Sequence, residues 1–124
     1  MSTLKADTIQ STGGGAATLT KQSAAKVFVD YTSVSTTAIN GSASFNVSSI
    51  SDGGTGLTTT NITNAMSEVN YSLPTGTLGG LTGGTKCFQN GSKTASAFAI
   101  YSTSKDGTAG DIANTYATAH GDLA

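Results

Sequence analysis

Catalytic chemistry in this sequence would have to come from very few side chains. A nucleophile needs a base beside it, and His120 is the only imidazole while Cys87 is the only thiol. His120 lies in an alternating run with Tyr116 and Thr118, a pattern that favours a histidine on a strand face over a catalytic base. Cys87 precedes Phe88, which is typical of a small core residue. We therefore expect no catalytic residue.

Carboxylates offer a second kind of chemistry. General acid and base work, as in a glycan depolymerase, requires two acids to converge in a groove. Most of the seven acids lie in or beside turns, where an aspartate usually bonds its own backbone. Asp106 and Asp111 could share a calcium ion with loop carbonyls, but their spacing fits no calcium-loop signature. The sequence favours a protein that is not an enzyme and that holds no metal or cofactor.

A glycine-rich stretch, residues 75–84, suggests a phosphate site in outline. Residues 79–86 resemble a P-loop, but Lys86 is displaced by one position and Cys87 stands where Ser or Thr is required. A phosphate loop also leads into a helix, and no helical pattern follows here. The stretch is more typical of a flexible surface loop.

Composition excludes further classes of function. The chain has no arginine and a pI near 5.5, so it offers no basic surface for nucleic acid. No apolar run approaches the roughly 20 residues that cross a bilayer. The first seven residues lack the apolar stretch of a secretion signal, so none is expected.

The elements that would position any site are short strands. Val27, Val29 and Tyr31 alternate with polar neighbours, which predicts a half-buried strand. Similar segments recur between Gly, Asn and Asp turns, a spacing that predicts an all-β domain with a small antiparallel β-sandwich, jelly-roll-like in architecture. The further candidate strands are Phe45–Val47, Leu57–Ile62, Val69–Leu73, Cys87–Phe88, Phe98–Tyr101 and Ile112–His120.

The expected turns are equally specific. Asn40-Gly41 and Lys105-Asp106-Gly107 are turn signals, and Asp52 to Gly56 is the strongest turn in the chain. Thr63 to Val69 is the only stretch that could form a helical turn. The four tyrosines can either fill the core or stack on sugar rings, and the sequence leaves both readings open. They are Tyr31, Tyr71, Tyr101 and Tyr116.

The supply of large apolar side chains is thin. Leu, Ile, Val and Phe total 22 of 124 residues, whereas Thr, Ser and Gly total 54. Residues 1–25 contain only Leu4, Ile9 and Leu19 as large apolar residues besides Met1, too few to fold alone. We expect an extended arm over 1–25 and a sandwich over 26–124, with burial completed by identical copies in a homotrimer.

Several stretches resemble small tail-fibre-like virion proteins of marine bacteriophages, including cyanophages. The resemblance is strongest in residues 4–30 and covers most of the chain. It rests on Leu4 to Gln10, Gly13 to Gly15, Leu19 to Tyr31, Ser44 to Ile50, Asp52 to Gly56, Asn64 to Met66, Asn70 to Ser72, and Gly121-Asp122.

The resemblance implies a non-enzymatic virion component, usually trimeric, whose arm docks at the particle through Leu4, Ile9 and Leu19. Its partners would be itself, other virion proteins and a host surface glycan or protein. The alternative is a capsid decoration protein or head fibre anchored by the same arm. Glycines allow close approach in exposed loops, so the expected receptor-facing residues are Asp52, Gly53, Gly54, Gly56, Gly79, Gly80, Gly83 and Gly84.

Overall fold

The computed structural model describes Gly13, residues 25–78 and residues 85–121, with only the backbone described for 85–91. Eight strands make up the described architecture, each too short to bury its apolar face without a partner sheet. In chain order they are β1 (Ala25–Thr32), β2 (Ala38–Phe45), β3 (Val47–Asp52), β4 (Leu57–Ile62), β5 (Thr75–Leu78), β6 (Thr85–Lys93), β7 (Ala97–Ser104) and β8 (Asn114–His120).

The strands form two antiparallel four-stranded sheets, in the orders β2-β1-β8-β5 and β3-β4-β7-β6. The expected all-β fold of two antiparallel sheets is confirmed. The pairs β1–β2, β3–β4 and β6–β7 are neighbours in sequence as well as in space, whereas β1–β8 and β4–β7 join strands that are distant in sequence. The jelly-roll-like architecture remains a prediction. The arm and the trimer remain predictions, since residues 1–12 and 14–24 lie outside the described part.

Strand β1 shows how the sequence pattern builds the core. Val27 and Val29 are fully buried and Tyr31 is 1% exposed, while Phe28 between them is 39% exposed. The period-2 prediction for this strand is therefore confirmed. The cluster of buried side chains between the sheets is completed by Ile62, Met66, Tyr71, Phe98, Ile100, Ala117 and Ala119.

Threonine fills much of the remaining interior. Along β4, Thr58 and Thr60 are buried like Ile62, although the sequence suggested that this strand buries little. Thr115 on β8 is also fully buried. Among the residues that the structure describes, the hydroxyl oxygens of Thr60 and Thr115 have no hydrogen-bond partner. A threonine side chain has the shape of valine, so it packs in a strand interior at the cost of an unpaired hydroxyl.

Only Asn46 separates β2 from β3, and at this corner the chain passes from one sheet to the other. Its backbone is left-handed, with φ at 57°, a conformation that asparagine tolerates. The Asn46 side-chain amide donates to the carbonyls of Lys26 at 3.1 Å and Asn64 at 3.0 Å. Its oxygen accepts from the backbone N–H of Asn64 at 2.7 Å. One side chain thus fixes the corner to strand β1 and to the connection after β4.

One expected turn and part of one expected loop belong to strands in the structure. Asn40-Gly41 falls inside β2, where Gly41 has a φ of 59° and the pairing with β1 is irregular between Val29 and Tyr31. A bulge therefore accommodates the positive φ that the sequence suggested was a turn. Residues 75–78, expected in a loop, instead form β5 and pair with Asn114 to Ala117.

The connection from β4 to β5, residues 63–74, is neither the expected helical turn nor a strand. Residues 63–69 contain no helix, and over Val69–Leu73 only Ser72 pairs, in an isolated bridge with His120. The connection is held by burial of Met66 and Tyr71, which are 1% and 4% exposed. Tertiary packing thus replaces the local structure that alternation predicted.

Candidate binding surface at one end of the sandwich

The strand register divides the connections between two ends of the sandwich. Thr32 pairs with Ala38 and Tyr31 with Thr115, so the connections 33–37 and 105–113 lie at the same end. The turn 53–56 lies at the same end, because its Gly56 carbonyl accepts from the N–H of Ser102 near the end of β7. We call this the loop end. The corner at Asn46 lies at the other end, which we call the corner end.

The turn between β3 and β4 is tight and ordered by its own backbone. The N–H of Gly53 donates to the carbonyl of Leu57 at 2.9 Å, and the N–H of Leu57 donates to the carbonyl of Gly54 at 2.8 Å. The carboxylate of Asp52 accepts from the N–H of Gly54 at 2.7 Å. Asp52 to Thr55 are exposed. The expected turn is confirmed, and the expected self-bonding of its aspartate is confirmed as well.

Gly56 is buried, contrary to the expectation that it is an exposed glycine. Its φ is 75°, and an added Cβ would lie 2.5 Å from the carbonyl oxygen of Ser102 and 2.9 Å from the nitrogen of Gly110. Its carbonyl accepts from the N–H of Ser102 at 2.7 Å. Gly56 therefore joins the turn to the 105–113 connection, and the residues of this turn that were expected to face a receptor and are exposed are Asp52, Gly53 and Gly54.

Asp111 fixes the turn from the neighbouring connection. Its carboxylate accepts from the N–H of Gly56 at 2.8 Å, across 55 positions of sequence. Sequence reasoning considered Asp111 only as a calcium ligand and missed this contact. Because Asp111 precedes a buried Ile112 without any turn motif of its own, no local signal identifies its partner.

The turn 105–107 completes the exposed part of the loop end. The N–H of Gly107 donates to the carbonyl of Ser104 at 3.0 Å, which confirms this expected turn. Lys105 forms an ion pair with Asp106 at 2.7 Å, with side chains 59% and 67% exposed. So exposed a pair stabilises little, and both charges stay available to solvent.

The second glycine-rich loop, with Gly79, Gly80, Gly83 and Gly84, lies outside the described residues, as do Leu4, Ile9 and Leu19 of the predicted arm. The flanks of that loop are described. Leu78 pairs with Asn114, and Thr85 pairs with Ser104, both at the loop end. Both expected receptor-facing loops therefore connect to the same end of the sandwich.

The first strand of the sandwich, β1, begins at the corner end. Ala25 pairs with His120, and Ser72 and His120 exchange backbone hydrogen bonds at 2.9 Å. The point where β1 begins is therefore separated from the loop end by the full length of the strand, roughly 25 Å for eight residues at the usual strand rise.

Tyr71 fixes the connection at the corner end to the β6–β7 hairpin. Its hydroxyl lies 3.0 Å from the carbonyl oxygen of Thr94 and 3.2 Å from that of Ala97, either of which can accept its proton. Lys93 donates to the Tyr71 carbonyl at 2.8 Å, and its ammonium lies 4.8 Å from the ring centre. Burial raises the pKa of Tyr71 to about 12.

The remaining chemical candidates are dispersed. Tyr31 and Tyr71 belong to the core, whereas Tyr101 and Tyr116 are half-buried. His120 is half-buried at the corner end. Within residues 25–78 and 92–121, where side chains are described, no group of three or more His, Cys, Asp or Glu could hold a metal ion. The side chain of Cys87 is outside that part.

Comparison with models of protein families, with curated proteins and with solved structures gives no match. In the described part of the chain, no helix has the length and apolar character that crossing a membrane requires. The fold therefore defines the class of protein, an all-β sandwich of two antiparallel sheets, and the function is argued from its surfaces.

Proposed function

We propose that this chain is a bacteriophage virion structural protein, a tail-fibre or spike component that attaches to the host surface without enzymatic activity. It acts as a homotrimer joined through residues 1–25. The loop end contacts a surface glycan or protein, and the arm docks to other virion proteins. The sequence resemblance to tail-fibre-like proteins motivates the proposal.

One structural observation carries the proposal furthest. The sandwich begins at Ala25 at the corner end, while the exposed turn Asp52–Thr55 projects from the loop end. A chain anchored by the segment before Ala25 therefore presents this turn away from its anchor. The hydrogen bonds of Asp52 and Asp111 hold the turn in one conformation, which lowers the entropy that binding costs.

Weak contacts suffice for such a protein. Three copies in one trimer, and many trimers on one particle, give avidity without a tight single site. The exposed turn offers carbonyl oxygens, the Asp52 carboxylate and the Thr55 hydroxyl, which suit hydrogen bonding to sugar hydroxyls. Glycine at positions 53 and 54 leaves the backbone accessible.

Immunogold labelling of intact phage particles tests the location. Label at the tail supports the proposal, and label spread over the head supports instead a capsid decoration protein or head fibre. Label absent from purified particles overturns both.

Binding to host cells tests the loop end. We expect Thr55→Lys, in the exposed turn, to weaken binding of the full chain by about tenfold or more. Thr63→Lys, exposed at the corner end, is the matched control and should leave binding unchanged. Equal effects of the two substitutions would contradict a contact at the loop end.

A further inference from the structure

Two phenylalanines lie side by side on the outer face of the first sheet. Phe28 on β1 and Phe45 on β2 are direct cross-strand partners, and they are 39% and 60% exposed. Single exposed apolar residues are ordinary on a protein surface, but a pair of adjacent aromatic rings forms a patch.

The apolar character extends across the same face. Thr118 on β8 is the partner of Phe28, and Tyr116, two residues before it, is half-buried. At the far edge of the sheet, Leu78 on β5 is 64% exposed. All four strands of this sheet thus contribute to one surface, which we call the aromatic face: Phe28, Phe45, Leu78, Tyr116 and Thr118.

Opposite charges flank the aromatic face along β1. Lys26 and Asp30 lie two residues before and two residues after Phe28, and all three lie outside the buried core cluster. The pairing of β1 with β8 is irregular between Ala25 and Val27. Lys26 and Asp30 are separated by roughly 13 Å of strand, too far to pair with each other. Within the described residues neither makes an ion pair. The Asp30 carboxylate accepts a hydrogen bond from the side-chain amide of Asn40 at 2.8 Å.

We propose that the aromatic face is the docking surface for a second copy of this chain, related by a two-fold axis through Phe28. A half-turn about that axis exchanges the two ends of β1. Lys26 of each copy then meets Asp30 of the other, and the Phe28 and Phe45 rings of both copies pack together. The arrangement of charge is self-complementary, which is why a second copy fits this face better than a partner of one charge sign.

Association between copies meets little electrostatic resistance, because the formal net charge is −1. Docking also supplies the apolar burial that a chain with few large side chains lacks. The contact does not depend on the proposed function, since it uses strands β1, β2, β5 and β8 and not residues 1–24. A trimer joined by its arms and paired through this face would be a hexamer.

Mass measurement of the full chain by light scattering distinguishes the two proposals. A dimer supports the two-fold contact and contradicts the trimer. A hexamer supports both. A trimer supports the proposed assembly and overturns the two-fold contact, and a monomer overturns both.

A charge exchange tests the geometry of the contact. We expect Lys26→Asp and Asp30→Lys each to raise the dissociation constant of the two-fold contact by about tenfold or more, because like charges then meet. An equimolar mixture of the two variants should associate again, since each variant carries the charge that the other lacks. Failure of the folded variants to associate on mixing would overturn the proposed register, as would undiminished association of either alone.

Phe45→Ser tests the apolar part, with Val69→Ser as the matched control. Val69 is 46% exposed but lies in the connection between β4 and β5. We expect Phe45→Ser to shift the mass to half its value and Val69→Ser to leave it unchanged, with circular dichroism showing that both remain folded. An unchanged mass for Phe45→Ser overturns the proposal.

Discussion

The carboxylate of Asp111 accepts a hydrogen bond from the backbone N–H of Gly56 at 2.8 Å, and so joins two connections that lie 55 residues apart in sequence. The carbonyl oxygen of the same glycine accepts a hydrogen bond from the N–H of Ser102. The exposed residues of this turn are therefore held in place by the buried Gly56 and by its hydrogen bonds to Asp111 and Ser102.

Removing the Asp111 carboxylate should loosen this turn. We expect Asp111→Ala to lower the free energy of unfolding by about 1–2 kcal/mol, because the Gly56 N–H loses its acceptor. Asp111→Asn keeps an acceptor oxygen and should cost less. Urea denaturation measures both. Equal losses for the two variants would show that charge, and not the hydrogen bond, is what matters.

Glycine at position 56 should tolerate no larger residue. We expect Gly56→Ala to cost about 3 kcal/mol or more, since its Cβ would lie 2.5 Å from the Ser102 carbonyl oxygen at a φ of 75°. Gly54→Ala is the control: its φ is 104°, but nothing lies within 4 Å of the added Cβ. It should cost about 1–2 kcal/mol, from backbone strain alone. Thermal unfolding ranks the two, and a smaller loss at Gly56 would contradict the packing described.

The unpaired hydroxyls of Thr60 and Thr115 should make valine the better residue at either site. We expect Thr60→Val and Thr115→Val each to stabilise the protein by about 1 kcal/mol, because valine keeps the shape and removes a buried group without a partner.

Ser33 supplies the contrast to those threonines. Its hydroxyl accepts from the N–H of Ile112 at 2.9 Å, with the Ile112 carbonyl oxygen at 3.4 Å. Ser33→Ala should therefore destabilise by about 1–2 kcal/mol. Chemical denaturation measures the free energy of unfolding of all three variants. A change in the same direction for all three would contradict the different roles of these hydroxyls.

The raised pKa of Tyr71 predicts that the free energy of unfolding falls at alkaline pH. Burial raises its pKa to about 12 from the ordinary 10.0, so the unfolded chain loses this proton first as pH rises. The contribution is fully present below pH 10 and is lost as pH rises towards 12. Tyr71→Phe should flatten this part of the pH profile, although it costs about 1 kcal/mol near neutrality through loss of the hydroxyl bond.

Ultraviolet titration of tyrosinate gives the check. The folded wild type should show a tyrosinate step near pH 12 that is missing from the Tyr71→Phe variant. A wild-type stability curve that falls no faster above pH 10 than that of the variant would contradict a buried Tyr71 hydroxyl.

Local alternation predicted the strands well wherever a large apolar residue recurs at every second position, as in β1 with Val27 and Val29. It failed at Val69 to Leu73, because Tyr71 is buried by packing against the β6–β7 hairpin and not by a sheet ladder. It also underestimated how much of β4 is buried, because threonines occupy two of the three buried positions of that strand. Patterns of large side chains cannot detect a threonine that faces inwards.

The candidate site could be predicted only in part. Asp52 and the glycines after it identify the turn, because aspartate followed by glycine favours positive φ. The roles of Gly56 and Asp111 come from a contact between distant parts of the chain, which no local motif encodes. The aromatic face was equally hidden, since Phe28 and Phe45 become neighbours only through the register of β1 with β2.

The threonines buried in the interior also affect how the protein responds to temperature. Unfolding exposes hydroxyls there as well as methyl groups, and hydration of polar surface offsets part of the heat-capacity increment that apolar surface produces. A smaller increment flattens the curve of folding free energy against temperature. Cold and warmth should therefore weaken this sandwich more gradually than they weaken a domain of the same size built on leucine and isoleucine.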